Sequence, residues 1–85
     1  MKKYKCECCG YYTLTEEPPN TYEICKVCYW EEDYVQNKDP NFPGGANNMS
    51  LNEARKNYLR IGAISEEFLQ YIRKPLDSEK KYDQN

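Results

Sequence analysis

Five cysteines are the residues best suited to chemistry in this chain, and four of them recur at a spacing that metal ions select. Cys6 and Cys9, then Cys25 and Cys28, read C-x2-C, fifteen residues, C-x2-C, at the edge of the range for zinc sites built from two tight turns. Each C-x2-C turn can bring two sulfurs to one tetrahedral ion at about 2.3 Å, and two turns from facing hairpins close the site with no open position. A closed four-thiolate site is structural, so the expectation is one structural Zn2+ per chain held by Cys6, Cys9, Cys25 and Cys28. Gly10, directly after Cys9, suits the sharp exit of the first turn. The second turn runs into Tyr29 instead, and the two halves are expected to differ. Cys8 sits between two ligands, where its side chain should point away from the ion. It reads either as a spare thiol near the surface or as an alternative ligand or redox-sensitive thiol with its pKa lowered by the metal.

Other chemistries fit the cysteines less well. A disulfide framework wants an even count and an oxidising compartment. A thioredoxin-like C-x-x-C wants a helix starting inside the motif, whereas Tyr11 to Thr15 reads as a strand. Iron in a four-sulfur site of rubredoxin type has compatible spacing, weakened by the missing second glycine. No histidine is present, which removes the commonest general base, and four sulfurs leave the metal no position for an activated water. The chain is therefore not expected to be an enzyme. Glu31, Glu32 and Asp33 form a run of three carboxylates, but adjacent residues in an exposed segment rarely share a site, and a solvated face is the better reading.

The elements that must position these sulfurs can be read from the same residues. Tyr4-Lys5 leads into the first turn, Tyr11 to Thr15 leaves it, Glu16-Glu17-Pro18-Pro19-Asn20 turns the chain, and Tyr22-Glu23-Ile24 leads into the second turn. A long irregular connection, Asp39 to Asn48, is expected to cover the ribbon by packing Phe42 and Trp30 against it. Ser50 with Glu53 makes a capping box, and Met49 with Ala54 a hydrophobic staple. The helix should run from Leu51 to about Ile61 and end at Gly62 in the left-handed conformation. Leu51, Ala54, Tyr58 and Ile61 form its buried stripe, leaving Asn52, Arg55, Lys56 and Arg60 toward water. A second short helix follows, capped by Ser65, with Phe68, Leu69 and Ile72 inward and Pro75 as its stop. The expected fold is thus small α+β, a zinc-ribbon (rubredoxin-like) arrangement of β-hairpins followed by two short C-terminal helices. Residues 1–75 form one domain and residues 76–85 a flexible charged tail.

Composition bounds the rest. With 85 residues, 39% apolar and 31% charged, the chain is near the lower limit for folding on a hydrophobic core alone, which is why a metal staple is expected. No apolar run approaches the ~18–20 residues of a membrane span, and Met1-Lys2-Lys3 leads into Tyr4-Lys5-Cys6 rather than into a signal sequence, so a cytoplasmic location is expected. The formal net charge is −2, and zinc on four thiolates would make it −4. Residues 1–48 carry five basic and eight acidic residues, residues 49–85 seven and six, so the cysteine-bearing half is the acidic one. Nucleic acid is disfavoured as a partner because no basic patch stands out, although Arg55, Lys56 and Arg60 form a short basic strip. A protein partner is favoured, with Trp30, Glu31, Glu32 and Asp33 as the candidate surface: acids for steering beside an aromatic of the type that dominates interfaces. The competing reading buries Trp30 as core.

The blocks Cys6 to Tyr11, Tyr22 to Asp33, Gly44 to Asn47 and Ser50 to Arg55, in this order, resemble the bacterial cysteine-rich CPCC family over about residues 4–60. The departure is Glu7, where the family name implies proline. The resemblance implies a small zinc-ribbon module. Some members are similar to immunity proteins encoded beside bacterial toxins, so it also implies an immunity-type binding role.

Overall fold

In a computed structural model that describes residues 2–80, the chain enters and leaves its first cysteine turn on a two-stranded antiparallel sheet. β1 (Tyr4–Lys5) pairs with β2 (Tyr12–Leu14), Tyr4 opposite Leu14 and Lys5 opposite Tyr12. That register gives β2 one extra residue, a bulge that lets consecutive Thr13 and Leu14 both be buried, which strict alternation forbids. The expected strand Tyr22 to Ile24 contracts to a single bridge between Ile24 and Glu31. The cause is local: Asn20 and Tyr22 take positive φ values of 70° and 55°, which no ladder accepts. Glu23 makes good the missing pairs. Its carboxylate accepts from the backbone N–H of Thr15 at 2.9 Å and of Glu16 at 3.1 Å and from the Thr15 hydroxyl at 3.0 Å, tying the two cysteine turns together.

A helix absent from the sequence reading follows the second turn. α1 (Tyr34–Lys38) is capped by Asp33, whose Oδ1 accepts from Gln36 N at 3.1 Å. It organises the long connection. Gln36 is fully buried: its side-chain amide donates to the carbonyls of Met49 at 2.9 Å and Phe42 at 3.1 Å and accepts from Asn47 Nδ2 at 2.8 Å. Asn47 in turn bonds the backbone N–H and C=O of Glu31, each at 2.9 Å. The loop is therefore held by amides, and Phe42, expected on the ribbon, is 39% exposed with its ring over Gly44. Gly45 must be glycine: its φ is +143°, and a Cβ would lie 2.9 Å from Gln36 Cδ and 3.0 Å from Asp33 Oδ2.

α2 (Leu51–Ile61) forms as its signals dictate. Ser50 Oγ accepts from Glu53 N at 3.1 Å, and Gly62 ends the helix at φ 90°. Leu51 and Ala54 are fully buried, while Tyr58 and Ile61 are half-buried. Trp30, Leu14, Val27, Leu51, Ala54 and Ile64 close a core around the cysteines, so Trp30 is a core residue.

The C-terminal third departs from expectation. The second helix is a 3-10 helix, Glu66–Tyr71, whose Ser65 makes no side-chain cap. Only Phe68 of its three expected inward residues packs on the core; Leu69 is exposed and Ile72 half-buried. Residues 76–80 are not a loose tail. A turn of 3-10 helix, Asp77–Glu79, packs against β2, and Glu79 is 2% exposed, gripped by Arg73 at 2.9 and 2.7 Å and accepting from Leu76 N at 2.9 Å. The remainder of the expected tail, residues 81–85, lies outside the described residues.

Candidate metal centre

The two cysteine turns are built on one backbone plan. In the first, Cys6 N donates to Tyr11 O and Gly10 N to Cys6 O; in the second, Cys25 N donates to Trp30 O and Tyr29 N to Cys25 O, all four at 2.9 Å. Their exits match as well, Gly10 at φ 83° and Tyr29 at φ 76°. The expected asymmetry is therefore confined to side chains. Tyr29 holds a conformation that disfavours Cβ by roughly 1–2 kcal/mol, and its ring is stacked on Phe68 at 4.3 Å and 21° with Tyr71 tilted at 5.7 Å. Aromatic contacts of this kind contribute about 0.5–1.5 kcal/mol beyond area burial, enough to offset the strain.

The four sulfurs of Cys6, Cys9, Cys25 and Cys28 lie within 4.8 Å of one another. Cys6 Sγ and Cys28 Sγ are 3.6 Å apart and Cys9 Sγ and Cys25 Sγ 3.7 Å. A tetrahedron with metal–sulfur bonds of 2.3 Å has an edge of about 3.8 Å. The donor set thus fits a tetrahedral thiolate-binding ion, and the five cysteines carry free thiols. Sulfurs this close cannot all ionise without a cation among them. The Cys25 thiol is held far below its ordinary value chiefly by the neighbouring Cys28, Cys6 and Cys9 thiols, with the Thr13 hydroxyl 3.0 Å away adding to the effect. Cys9, Cys28 and Cys6 are pushed well above theirs, chiefly because each donates to Cys25. A divalent ion replaces those shared protons and allows four thiolates at once.

Three of the four cysteines, Cys6, Cys25 and Cys28, are buried, and Cys9 is half-buried. Val27 N and Trp30 N each approach a ligand sulfur, Cys25 and Cys28 respectively, at 3.4 Å. Buried Thr13 places its hydroxyl 3.0 Å from Cys25 Sγ, and with a metal bound the thiolate would carry no proton, so the hydroxyl would be the donor. Two contacts from the C-terminal half hold the turns from outside. Arg55 on α2 donates from Nε and Nη2 to the carbonyl of Glu7 at 3.0 and 2.8 Å. Arg73 donates its backbone N–H to the carbonyl of Lys26 at 3.0 Å. Glu7 and Lys26 are corresponding positions of the two turns, so each turn is clasped at the same carbonyl.

Thr13, Arg55 and Arg73 escaped the sequence reading. Thr13 sits in an alternating strand pattern that hides its burial, and Arg55, read as facing water with Lys56 and Arg60, is half-buried and committed to Glu7. The basic strip loses Arg55, leaving Lys56 and Arg60 exposed. Cys8, read as a spare surface thiol or as an alternative ligand, is neither: it is 8% exposed, packed in the core beside Cys28 and outside the four-sulfur group.

The acidic aromatic segment is redistributed in the same way. Trp30 is buried and donates from Nε1 to Asn37 Oδ1 at 3.0 Å. Asp33 is buried as the α1 cap and accepts from Ala46 N at 2.9 Å. Glu32 is 2% exposed, and only Glu31 stays half-exposed. The expected exposed acidic face of Glu31, Glu32 and Asp33 is thus mostly interior, because α1 and the 39–49 connection fold over it.

The family model for cysteine-rich CPCC proteins matches residues 4–79. No match is found among curated proteins. None of the described helices is long and apolar enough to cross a membrane.

Proposed function

The chain belongs to the cysteine-rich CPCC family, and on that premise we propose that it is a non-catalytic module, stapled by one structural zinc ion, that binds another protein. The observation that carries this reading is the four-sulfur cluster with edges of 3.6 and 3.7 Å, contacted by the Thr13 hydroxyl and by backbone N–H groups. Four thiolates fill a tetrahedral ion and leave no place for a metal-bound water, and zinc at such a site acts by folding the chain, contributing an apparent ~10–16 kcal/mol in small finger peptides. The cysteine-bearing half is acidic, which favours a basic partner through electrostatic steering. Capture of a basic toxin, an immunity-type role, is the form of binding that both this charge and the family resemblance support.

Native mass spectrometry of the purified protein should show one zinc per chain, and chelation should abolish its folded circular dichroism. Iron in place of zinc would move the reading to a rubredoxin-like redox protein, and an unchanged spectrum after chelation would overturn the staple. For binding, a tagged chain should retain a basic protein from its native host in low salt and release it as salt rises. A retained nucleic acid would instead favour a nucleic-acid-associated ribbon.

A further inference from the structure

Glu32 carries a carboxylate oxygen that the fold does not use. Its Oε2 accepts from Asn37 Nδ2 at 2.8 Å, and Asn37 is fixed in turn by the Trp30 indole. Its Oε1 is buried and finds no hydrogen-bond partner among the described residues. Buried carboxylate oxygens are nearly always satisfied, since leaving one bare forfeits its hydration without return. The surroundings make the orphan worse. Burial, first of all, and then the charges of Glu7, Asp33 and Glu23 push the Glu32 carboxyl up from its ordinary value, against the Asn37 hydrogen bond.

Glu32 lines a groove of about 300 Å3 with Glu7, Pro18, Pro19, Tyr34 and Lys38. Its lining thus combines two carboxylates with two prolines and an aromatic ring. Glu7 has a partial partner in Arg55, whose Nη2 lies 3.7 Å from its carboxylate while donating at 2.8 Å to its carbonyl, and Lys38 Nζ lies over the Tyr34 ring at 5.5 Å, so Glu32 has no salt bridge among the described residues. We propose that this groove receives an arginine side chain presented by a protein partner, the guanidinium donating to Glu32 Oε1 and Glu7 while its stem lies on Pro18, Pro19 and Tyr34. A guanidinium suits the site because its planar fork can serve two carboxylates and still stack on a ring, and the groove is of single-side-chain size. Exposed Tyr34 and Lys38 form the rim that must yield to admit it. The proposal rests on the reading of the chain as a protein-binding module and gives that binding a place.

The test is a chemical-shift titration of the metal-loaded protein with a capped tri-arginine peptide and with its tri-citrulline counterpart, which keeps the shape and removes the charge. The arginine peptide should shift the Glu32, Tyr34 and Asn37 amides and the Trp30 indole N–H, and bind about tenfold or more tightly than the citrulline one. Glu32→Gln should lose about tenfold in affinity while keeping its metal content and melting no lower than the wild type, whereas Glu53→Gln, which removes an equal charge on α2, should bind as the wild type does. Equal losses in the two variants, shifts confined to other surfaces, or equal binding of the two peptides would overturn the groove. Because metal content and partner retention are read separately, a groove that fails in a metal-loaded chain that still retains a partner leaves the wider reading standing.

Discussion

The clamp between Arg73 and Glu79 gives the sharpest test, since the sequence reading assigns Glu79 to a loose tail. Glu79→Ala removes three acceptor contacts: two charge-assisted bonds from Arg73 at 2.9 and 2.7 Å and one from Leu76 N at 2.9 Å. Hydrogen bonds to charged groups contribute about 1.5–3 kcal/mol when buried. Here the Arg73 side chain is 37% exposed against 2% for Glu79, so water takes up part of the loss and the lower end applies. An expected cost of about 2 kcal/mol corresponds to a fall in melting temperature of roughly 8–16 °C for a domain of this size. Asp77→Ala is the matched control. Its pair with Lys80 spans 3.3 Å, but Asp77 is 95% exposed, and a solvated pair of that kind contributes almost nothing. Thermal melts of the metal-loaded proteins give the magnitudes, and hydrogen exchange of the Arg73 amide gives the location, because that amide donates to Lys26 and should open when the clamp is gone. Arg73 also holds the Glu79 carboxyl below the usual carboxylate range. Its contribution is therefore fully present above the unfolded value of about 4.3 and lost only as pH falls through the lower folded value. The melting gap should stay constant from about pH 8 to about pH 6. A Glu79→Ala protein that melts within about 2 °C of the wild type, with Arg73 still protected, would refute the reasoning.

Thr13→Val keeps shape and removes the hydroxyl at Cys25 Sγ, so competition with a chromophoric chelator should show metal affinity reduced by about 10-fold or more with the fold unchanged. Gly45→Ala should destabilise by about 2 kcal/mol or more in a denaturant melt, because the new Cβ meets Gln36 and Asp33 and the backbone sits at φ +143°. Glu32→Gln should raise the melting temperature at neutral pH by a few degrees, roughly 4–8 °C per kcal/mol of relieved carboxylate burial. Folding raises the Glu32 carboxyl, through burial and then through Glu7, Asp33 and Glu23, with Asn37 opposing, so the charged form costs stability at neutral pH. That advantage of Glu32→Gln should shrink as pH falls through the raised folded value and vanish below the ordinary one.

The sequence alone determined what depends on neighbours along the chain. Two C-x2-C turns place four sulfurs because each turn is closed by its own backbone bonds, and Ser50, Glu53 and Gly62 mark α2 because caps act over a few residues. The hairpin β1–β2 and the zinc-ribbon-like cluster were legible for the same reason. Only the tertiary structure decided which polar side chains leave water. Glu32, Asp33, Gln36, Asn47 and Glu79 look alike in sequence to the exposed Glu16, Glu17 and Asp77, yet the first five are buried. Their burial is set by what folds over them: α1 and the 39–49 connection in four cases, β2 beneath the last turn in the fifth. Tyr29 shows the same division. Its place after a cysteine turn demands positive φ, a local fact that argues for glycine, and a stack with Phe68 from 39 residues further along makes tyrosine tenable there. A burial cost or a stacking gain belongs to a pair of surfaces, and one stretch of sequence holds only one of them.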